Sequence, residues 1–164
     1  IFVHFPVAFL TIYAVAELIR SKKILSLIWW RHTKIVLLFV GLVGAFISLG
    51  TGEFGEMEFA AMRAVIHVHE TVAQITTAIF SALVTYYLVS EISTIWGVKI
   101  TSTAFAGLWN SLVWLFTTVF SSPVIIILAF AGLIAISVTG ALGGAIVYGP
   151  DADPIIRFVY SLFF

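Results

Sequence analysis

Four long apolar stretches constrain the fold of this 164-residue chain more than any other feature. They cover about residues 3–19, 35–50, 64–89 and 124–147. Each is close to the ~20 residues that a helix needs to cross the hydrocarbon core of a bilayer, and a helix satisfies every backbone polar group within one segment. With 62% hydrophobic residues, 10% charged residues and a mean hydropathy of +1.16, the composition lies outside the soluble range. The sequence predicts an integral membrane protein.

Residues 100–120 form a further apolar segment, which contains Trp109 and Trp114. Its composition fits a fifth span or a helix that lies in the headgroup layer. The positive-inside rule favours the headgroup layer, because four spans alone place six basic residues on one side and two on the other. The six are Arg20, Lys22, Lys23, Arg31, Lys34 and Lys99, and the two are Arg63 and Arg157. We predict an all-α fold, a transmembrane four-helix bundle over 1–150 with an additional interfacial helix, and an apolar tail at 151–164.

The charge balance and the cysteine content exclude several classes of function. Eight basic residues balance eight acidic ones without a basic patch, so we expect no nucleic-acid binding. The absence of cysteine excludes disulfides, thiolate-held iron–sulfur clusters and cysteine catalysis. The sequence also contains no phosphate-binding glycine loop and no zinc-peptidase spacing. A cofactor would therefore be held by histidine, carboxylate, methionine or backbone groups.

Three of the four histidines fall near ends of predicted spans that face the same side. His4 opens the first apolar stretch, and His67 and His69 lie at the start of the third. Two imidazoles from different helices at similar depth can hold a b-type haem without covalent attachment. His67 and His69 lie about 200° apart on a helix, so only one of them can bind a shared iron. We predict His4 and His69 as the axial ligands, whereas the plainer reading is polar residues at a wet membrane boundary.

A metal site of histidine and carboxylate ligands is another reading of this region. His67 and Glu70 share a helical face, and Glu53 and Glu56 lie in the preceding acidic loop. Carboxylate-bridged di-metal bundles use Glu-x-x-His pairs on two helices, however, and this chain has a single reversed half-copy. A solvated acidic loop explains the same residues. His32 lies among tryptophans in the basic loop, and we assign it to the interfacial aromatic belt.

Small residues form a stripe at the end of the last apolar stretch. Gly140 and Gly144 are four positions apart, and Gly143 follows Thr139 at the same spacing. Such a stripe lets a neighbouring helix, or the flat face of a cofactor, approach the backbone. Tyr148 lies beside the closing turn, where it either hydrogen-bonds a ligand or marks the membrane interface.

Four motifs occur in an order that resembles a known family. They are Val3-His4-Phe5-Pro6, the Gly-Thr-Gly-Glu turn that ends at Glu53, His69-Glu70, and the segment from Gly140 to Tyr148. Together they resemble the prokaryotic membrane family catalogued as domain of unknown function 2231, over about residues 1–90 and 122–150. The resemblance implies a four-helix membrane protein. Because some members are fused or adjacent to redox modules such as Rieske-type domains, it also implies a role in membrane electron transfer.

The resemblance carries over to individual residues. The family histidines match His4 and His69, the family acid after the second helix matches Glu53, and the closing turn matches Gly143, Gly144 and Tyr148. The chain departs from the family pattern in three ways: His67 is extra, residues 92–121 lengthen the third loop, and Gly149 stands where a basic residue is common.

These observations predict a small membrane subunit that binds haem b through His4 and His69. It would exchange electrons with a redox partner or a quinone, beside other redox subunits in a prokaryotic cytoplasmic membrane, with its histidines on the non-cytoplasmic side. The alternative is a cofactor-free subunit that anchors or assembles a larger complex through the 100–120 segment and the tail. An independent enzyme is less expected than either. Transport ranks below them, because Glu17 and Glu91 lie near the cytoplasmic boundary.

Overall fold

The computed structural model describes residues 4–19, 21–52, 62–96, 104–120 and 122–164, without the side chains at positions 4, 28, 95, 96, 104 and 105. Over these ranges the chain is helical and has no strand, which confirms the all-α prediction. The helices in this part of the chain are α1 (His4–Leu18), α2 (Lys22–Leu25), α3 (Ile28–Gly52), α4 (Arg63–Trp96), α5 (Ala104–Val119), α6 (Ser122–Tyr148) and α7 (Pro154–Tyr160).

Three helices are long and apolar enough to cross a membrane. The candidate spans are Trp29–Gly52 in α3, Arg63–Thr94 in α4 and Ser122–Tyr148 in α6, with 24, 32 and 27 residues. At a rise of 1.5 Å per residue, each exceeds the ~30 Å hydrocarbon thickness. The apolar part of α1, Phe5–Leu18, is shorter. The three apolar helices fit an integral membrane protein in a lipid bilayer.

The long helices pack side by side and build two apolar cores. α1 packs along α3 and α6, and α4 packs along the same two helices, while α5 contacts α4 and α7 contacts α6. We call the end of the molecule near Lys22 and Lys34 the basic end, and the end near Gly149 the far end. The large core joins α1, α3, α4 and α6 and includes Leu10, Tyr13, Leu38, Phe80, Leu83 and Ile136. The small core joins α4, α6 and α7 at the far end and includes Val65, Leu142, Ala145, Ile156 and Val159.

Glycines allow these helices to approach closely. A Cβ atom at Gly44 would lie 2.6 Å from Cγ of Pro6, so α3 admits α1 only because this position has no side chain. At Gly132 on α6, a Cβ atom would lie 2.9 Å from Cζ of Phe80, which is fully buried. Small residues thus determine the helix spacing, as they commonly do between membrane helices.

Hydroxyl side chains along α4 satisfy their hydrogen bonds within the helix. Thr71, Thr76, Thr77, Ser81 and Thr85 each donate to the carbonyl four residues earlier, at 2.7–2.8 Å. A hydroxyl bonded in this way does not present an unsatisfied polar group to hydrocarbon. This local bonding explains how α4 carries many polar residues and still resembles a span.

The turn from α6 to α7 is specified by two residues. Gly149 has φ +92°, a left-handed conformation that favours glycine, and its N–H donates to the carbonyl of Ala145. Asp153 caps α7 by accepting from the backbone N–H groups of Ile155 and Ile156, and Pro154 occupies the first helical turn. The segment predicted as an apolar tail therefore contains a short helix that folds back against α6.

The helices at the basic end reach further than the apolar stretches predict. α3 begins at Ile28 rather than near 35, so Trp29 and His32 lie in its first turns instead of in a loop. In these first turns Nε of Arg31 lies 2.6 Å from Oε1 of Glu91 on α4. Polar residues at both helix ends pair with each other there, and the helices continue beyond their apolar parts.

Candidate functional site

The imidazole of His69 packs directly against α6 at the far end. Its Nδ1 atom lies 3.0 Å from the carbonyl oxygen of Thr139. A Cβ atom at Gly143 would lie 3.2 Å from Cε1 of the same ring. His69 is half-buried in this position. Two members of the small-residue stripe on α6, Thr139 and Gly143, therefore seat this histidine.

The contact with Thr139 determines which ring nitrogen of His69 carries the proton. A carbonyl oxygen only accepts hydrogen bonds, so Nδ1 must be the protonated donor. The neutral ring then has its lone pair on Nε2, and Nε2 makes no hydrogen bond to the part of the chain that the structure describes. Histidines that bind metals commonly donate their other ring N–H to a carbonyl in this way.

The other two described histidines do not approach His69. His67 is exposed on a different face of α4, which agrees with a separation of about 200° along the helix. His32 is exposed in the first turns of α3 at the basic end, and it interacts with a neighbouring group. Glu70 is half-buried beside His69 in sequence and also has an interaction partner.

His4, the predicted second ligand, begins α1, and its side chain is not among those that the structure describes. Its depth follows from the register between α1 and α4, which run in the same direction. Glu17 contacts Tyr87, an offset of 70 positions. Tyr13 contacts Phe80 at an offset of 67 positions, so the two contacts place the backbone of His4 opposite positions 71 to 74, which is about 3–7 Å closer to the basic end than His69. A ligand shared by the two imidazoles has to bridge this difference in depth.

The glycines and the tyrosine predicted near the site face different surroundings. Gly143 faces the His69 ring, whereas a Cβ atom at Gly144 would lie 2.7 Å from Cδ1 of Ile156 on α7. Nothing in the described part of the chain lies within 4 Å of a Cβ atom at Gly140. Tyr148 is 76% exposed. The structure thus brings Gly143 to His69 and leaves Gly140, Gly144 and Tyr148 apart from it.

The described residues do not form a metal site with carboxylate ligands. Among the described residues, no three or more His, Cys, Asp or Glu side chains are grouped so that they could hold a metal ion. Glu53 and Glu56, which this reading requires, lie outside the described residues. His69 remains a candidate ligand for a cofactor that is held by two histidines.

A buried polar cluster at the basic end was not predicted as a site. Nζ of Lys34 on α3 donates to Oε2 of Glu17 on α1 at 2.8 Å, and the hydroxyl of Tyr87 on α4 donates to the same oxygen at 2.6 Å. Glu17 and Lys34 are only 5% and 7% exposed. Nζ of Lys34 also lies 5.7 Å from the centre of the Tyr87 ring, within the range of a cation–π contact. Three helices are joined by one carboxylate.

Tyr13 extends this cluster into the large core. Its ring packs edge-on against Phe80 and Tyr87, with centroid separations of 6.2 and 6.3 Å. Its hydroxyl is buried and forms no well-aligned hydrogen bond to the described residues. Glu17 and Tyr87 lie close enough to interact with it electrostatically. The hydroxyl of Tyr13 therefore lies beside the carboxylate of Glu17 without a well-aligned hydrogen bond to it.

A crevice of about 260 Å³ opens next to the buried cluster. We call it the basic-end crevice. Its lining combines paired charges with aromatic rings and includes Glu17, Trp30, Arg31, Lys34, Tyr86 and Tyr87. The crevice lies at the opposite end of α4 from His69. Between Tyr87 and His69 there are 18 positions, or about 27 Å along the helix.

One signal in the sequence could have indicated this cluster. Glu17 lies inside the first apolar stretch, and Lys34 immediately precedes the second. An ionisable residue within a span usually pairs with another across the bundle, and consecutive antiparallel spans bring these two positions together. The contribution of Tyr87 could not be anticipated in this way, because it lies 70 positions from Glu17.

Comparisons with known proteins do not add to the assignment of either site. No family model, no curated protein and no solved structure matches this chain. The resemblance to domain of unknown function 2231 therefore stays a prediction from the four sequence motifs.

Proposed function

We propose that this protein is a membrane electron-transfer subunit that binds a b-type haem through His69 and His4. In this proposal α1 crosses the membrane as a fourth span beside α3, α4 and α6. The subunit exchanges electrons with a redox partner or a quinone, in company with other membrane redox subunits. Its histidines face the non-cytoplasmic side of a prokaryotic cytoplasmic membrane, since the basic residues gather at the other end.

The orientation of the His69 ring carries the proposal. Its Nδ1–H donates to the carbonyl oxygen of Thr139, and the lone pair of Nε2 is therefore available to a ligand. This contact also fixes the plane of the ring, which raises the affinity of a histidine for iron.

The absence of a side chain at Gly143 lets the His69 ring approach the backbone of α6 closely. Haem, when bound, would supply reversible one-electron chemistry, and the neutral imidazoles of His69 and His4 would hold it. The chain's contribution is to hold the ring of His69 against α6 and to place His4 on a helix that runs parallel to α4.

An absorption spectrum of the purified, dithionite-reduced protein tests the proposal. We expect a Soret band in the wild-type protein and loss of most of the bound haem in His69→Ala and in His4→Ala. His67→Ala is the matched control, because this exposed histidine lies two positions away on the same helix and should retain the band. A wild-type protein without a Soret band, or a band that survives the replacement of both ligands, contradicts haem binding.

A cofactor-free subunit that anchors or assembles a larger complex is the second candidate. It is supported by the apolar residues that α5 and α7 expose, Trp114 at 66% and Ile155 at 70%. In a membrane, lipid covers such residues as readily as a partner subunit does. The same preparation separates the candidates: an anchor shows no Soret band and comigrates in native gels with further subunits from its membrane.

A further inference from the structure

The connection between α1 and α3 places two lysines on the surface of the basic end. Lys22 and Lys23 open the short helix α2, and both are exposed. Their backbone is held by local hydrogen bonds. The carbonyl oxygen of Ser21 accepts from the N–H of Leu25 at 2.9 Å, and the hydroxyl of Ser26 donates to the carbonyl oxygen of Lys23 at 2.9 Å. The connection is therefore a defined structure with two ammonium groups on its outside.

The rest of the basic end does not neutralise these two lysines. The acidic residues at this end, Glu17 and Glu91, are already paired with Lys34 and Arg31 at 2.8 and 2.6 Å. Among the described residues, no side chain pairs with the ammonium group of either α2 lysine. By position in the sequence, six basic and two acidic residues belong to this end of the chain, and two basic and six acidic residues to the other. The basic end thus carries positive charge that an anionic partner would complement.

The same surface is apolar as well as charged, and it borders a candidate span. Leu25, Leu27 and Trp29 are 40%, 38% and 58% exposed. Trp29 is the first residue of the candidate span in α3, and tryptophan concentrates at the headgroup level of membranes. Lys22 and Lys23, a few positions earlier, are therefore expected at the level of the lipid phosphates. We call these five residues the α2 surface.

An anionic phospholipid complements both parts of the α2 surface with one molecule. Its phosphate attracts the two ammonium groups, and its acyl chains contact the exposed apolar side chains. Near a membrane surface with anionic lipids, each lysine strengthens binding about fivefold. A zwitterionic lipid such as phosphatidylcholine carries its own cation beside the phosphate, and this cation offsets the attraction. The charge therefore favours an anionic headgroup over a zwitterionic one.

We propose that the α2 surface binds the headgroup of an anionic phospholipid such as phosphatidylglycerol. In this site Lys22 and Lys23 pair with the phosphate, while Leu25 and Trp29 contact the upper part of the acyl chains. The site agrees with a cytoplasmic basic end, because anionic lipids give the cytoplasmic leaflet a negative surface potential. Lipid binding does not depend on haem, since His69 lies near the far end of the molecule.

Native mass spectrometry of the full chain tests this surface, with detergent micelles that contain equal amounts of phosphatidylglycerol and phosphatidylcholine. We expect the wild-type protein to retain phosphatidylglycerol in preference. Lys22→Gln/Lys23→Gln should lower the retained phosphatidylglycerol about five- to thirtyfold, whereas Lys22→Arg/Lys23→Arg keeps both charges and should retain the preference. Arg63→Gln/Arg157→Gln is the matched control, because it removes the same charge from exposed positions at the far end and should leave the preference unchanged.

Three results would overturn the lipid site. The first is equal retention of both lipids by the wild-type protein. The second is an equal loss of phosphatidylglycerol in the two glutamine double variants, which indicates a general effect of net charge. The third is displacement of phosphatidylglycerol by equal concentrations of inorganic phosphate or of a polyglutamate peptide, which assigns the lysines to a soluble anion or to an acidic protein. The His69→Ala protein separates this test from the haem test, because it should lose haem and still retain phosphatidylglycerol.

Discussion

Glu17 is the residue on which the basic end depends most, because one of its oxygens accepts from two other helices. Oε2 receives Nζ of Lys34 and the hydroxyl of Tyr87, and less than a tenth of either charged side chain is exposed. A buried ion pair adds little net stability compared with a well-packed apolar pair, but removal of one partner leaves an uncompensated charge. Replacement of one partner should therefore lower the stability much more than replacement of both partners by apolar residues.

We predict that Lys34→Met destabilises the protein by about 3–5 kcal/mol, because the carboxylate of Glu17 stays buried without its cation. The double variant Glu17→Leu/Lys34→Met should recover most of this loss. Arg157→Gln is the control, since the pair of Arg157 with Asp151 is 69% and 77% exposed and contributes at most about 1 kcal/mol. Denaturant unfolding in detergent micelles measures these differences. A single variant as stable as the wild type would show that the buried pair does not join the helices as described.

At the scale of helices, the sequence predicted the helices that consist of long apolar runs. It did not predict the helical segments whose residues make contacts with distant parts of the chain. The last apolar stretch, 124–147, lies close to α6, because Gly149 and Pro123 bound an uninterrupted apolar run. The first turns of α3 were predicted as a loop, since the pairing of Arg31 with Glu91 involves residues 60 positions apart. The helical tail was also missed, although Asp153-Pro154 is a capping signal.

The capping residue of α7 gives a prediction about that helix. Asp153→Ala removes the acceptor for two backbone N–H groups, and we expect a loss of about 1 kcal/mol in the local stability of α7. Asp151→Ala is the matched control, because it removes only an exposed ion pair with Arg157. Hydrogen–deuterium exchange over Pro154–Tyr160 measures the difference. Equal protection in the two variants would mean that packing of Ile156 and Val159 alone holds α7 in place.

At the scale of the whole molecule, we predict the arrangement across the membrane from helix lengths and from charge. Three helices are long enough to span, and the described part of α5 is a helix of 16 residues, or about 24 Å. This length falls short of the ~30 Å hydrocarbon core, as does that of the 15-residue α1, so the charge balance rather than helix length favours α1 as a span and α5 at the interface. Four spans with α5 at the interface would place α5 and the basic end on one side and the turn before α7 on the other.

The absence of cysteine makes this topology directly testable. We expect Ser26→Cys and Asn110→Cys to react with a membrane-impermeant maleimide from the cytoplasmic side, and Asp151→Cys to react from the opposite side. Labelling in intact spheroplasts and in inverted vesicles distinguishes the two sides. Protection of position 110 from both sides, with positions 26 and 151 reactive from the same side, would instead indicate that α5 crosses the membrane.

The division of the apolar interior into a large and a small core also determines which part of the molecule unfolds locally. The two cores share no buried residue, and only α4 and α6 run through both. Contiguous groups of contacts of this kind unfold as separate cooperative units, each with its own free energy. We therefore expect α7 to detach while the four helices around Phe80 stay closed. Detachment would uncover Gly144, against which the side chain of Ile156 on α7 packs.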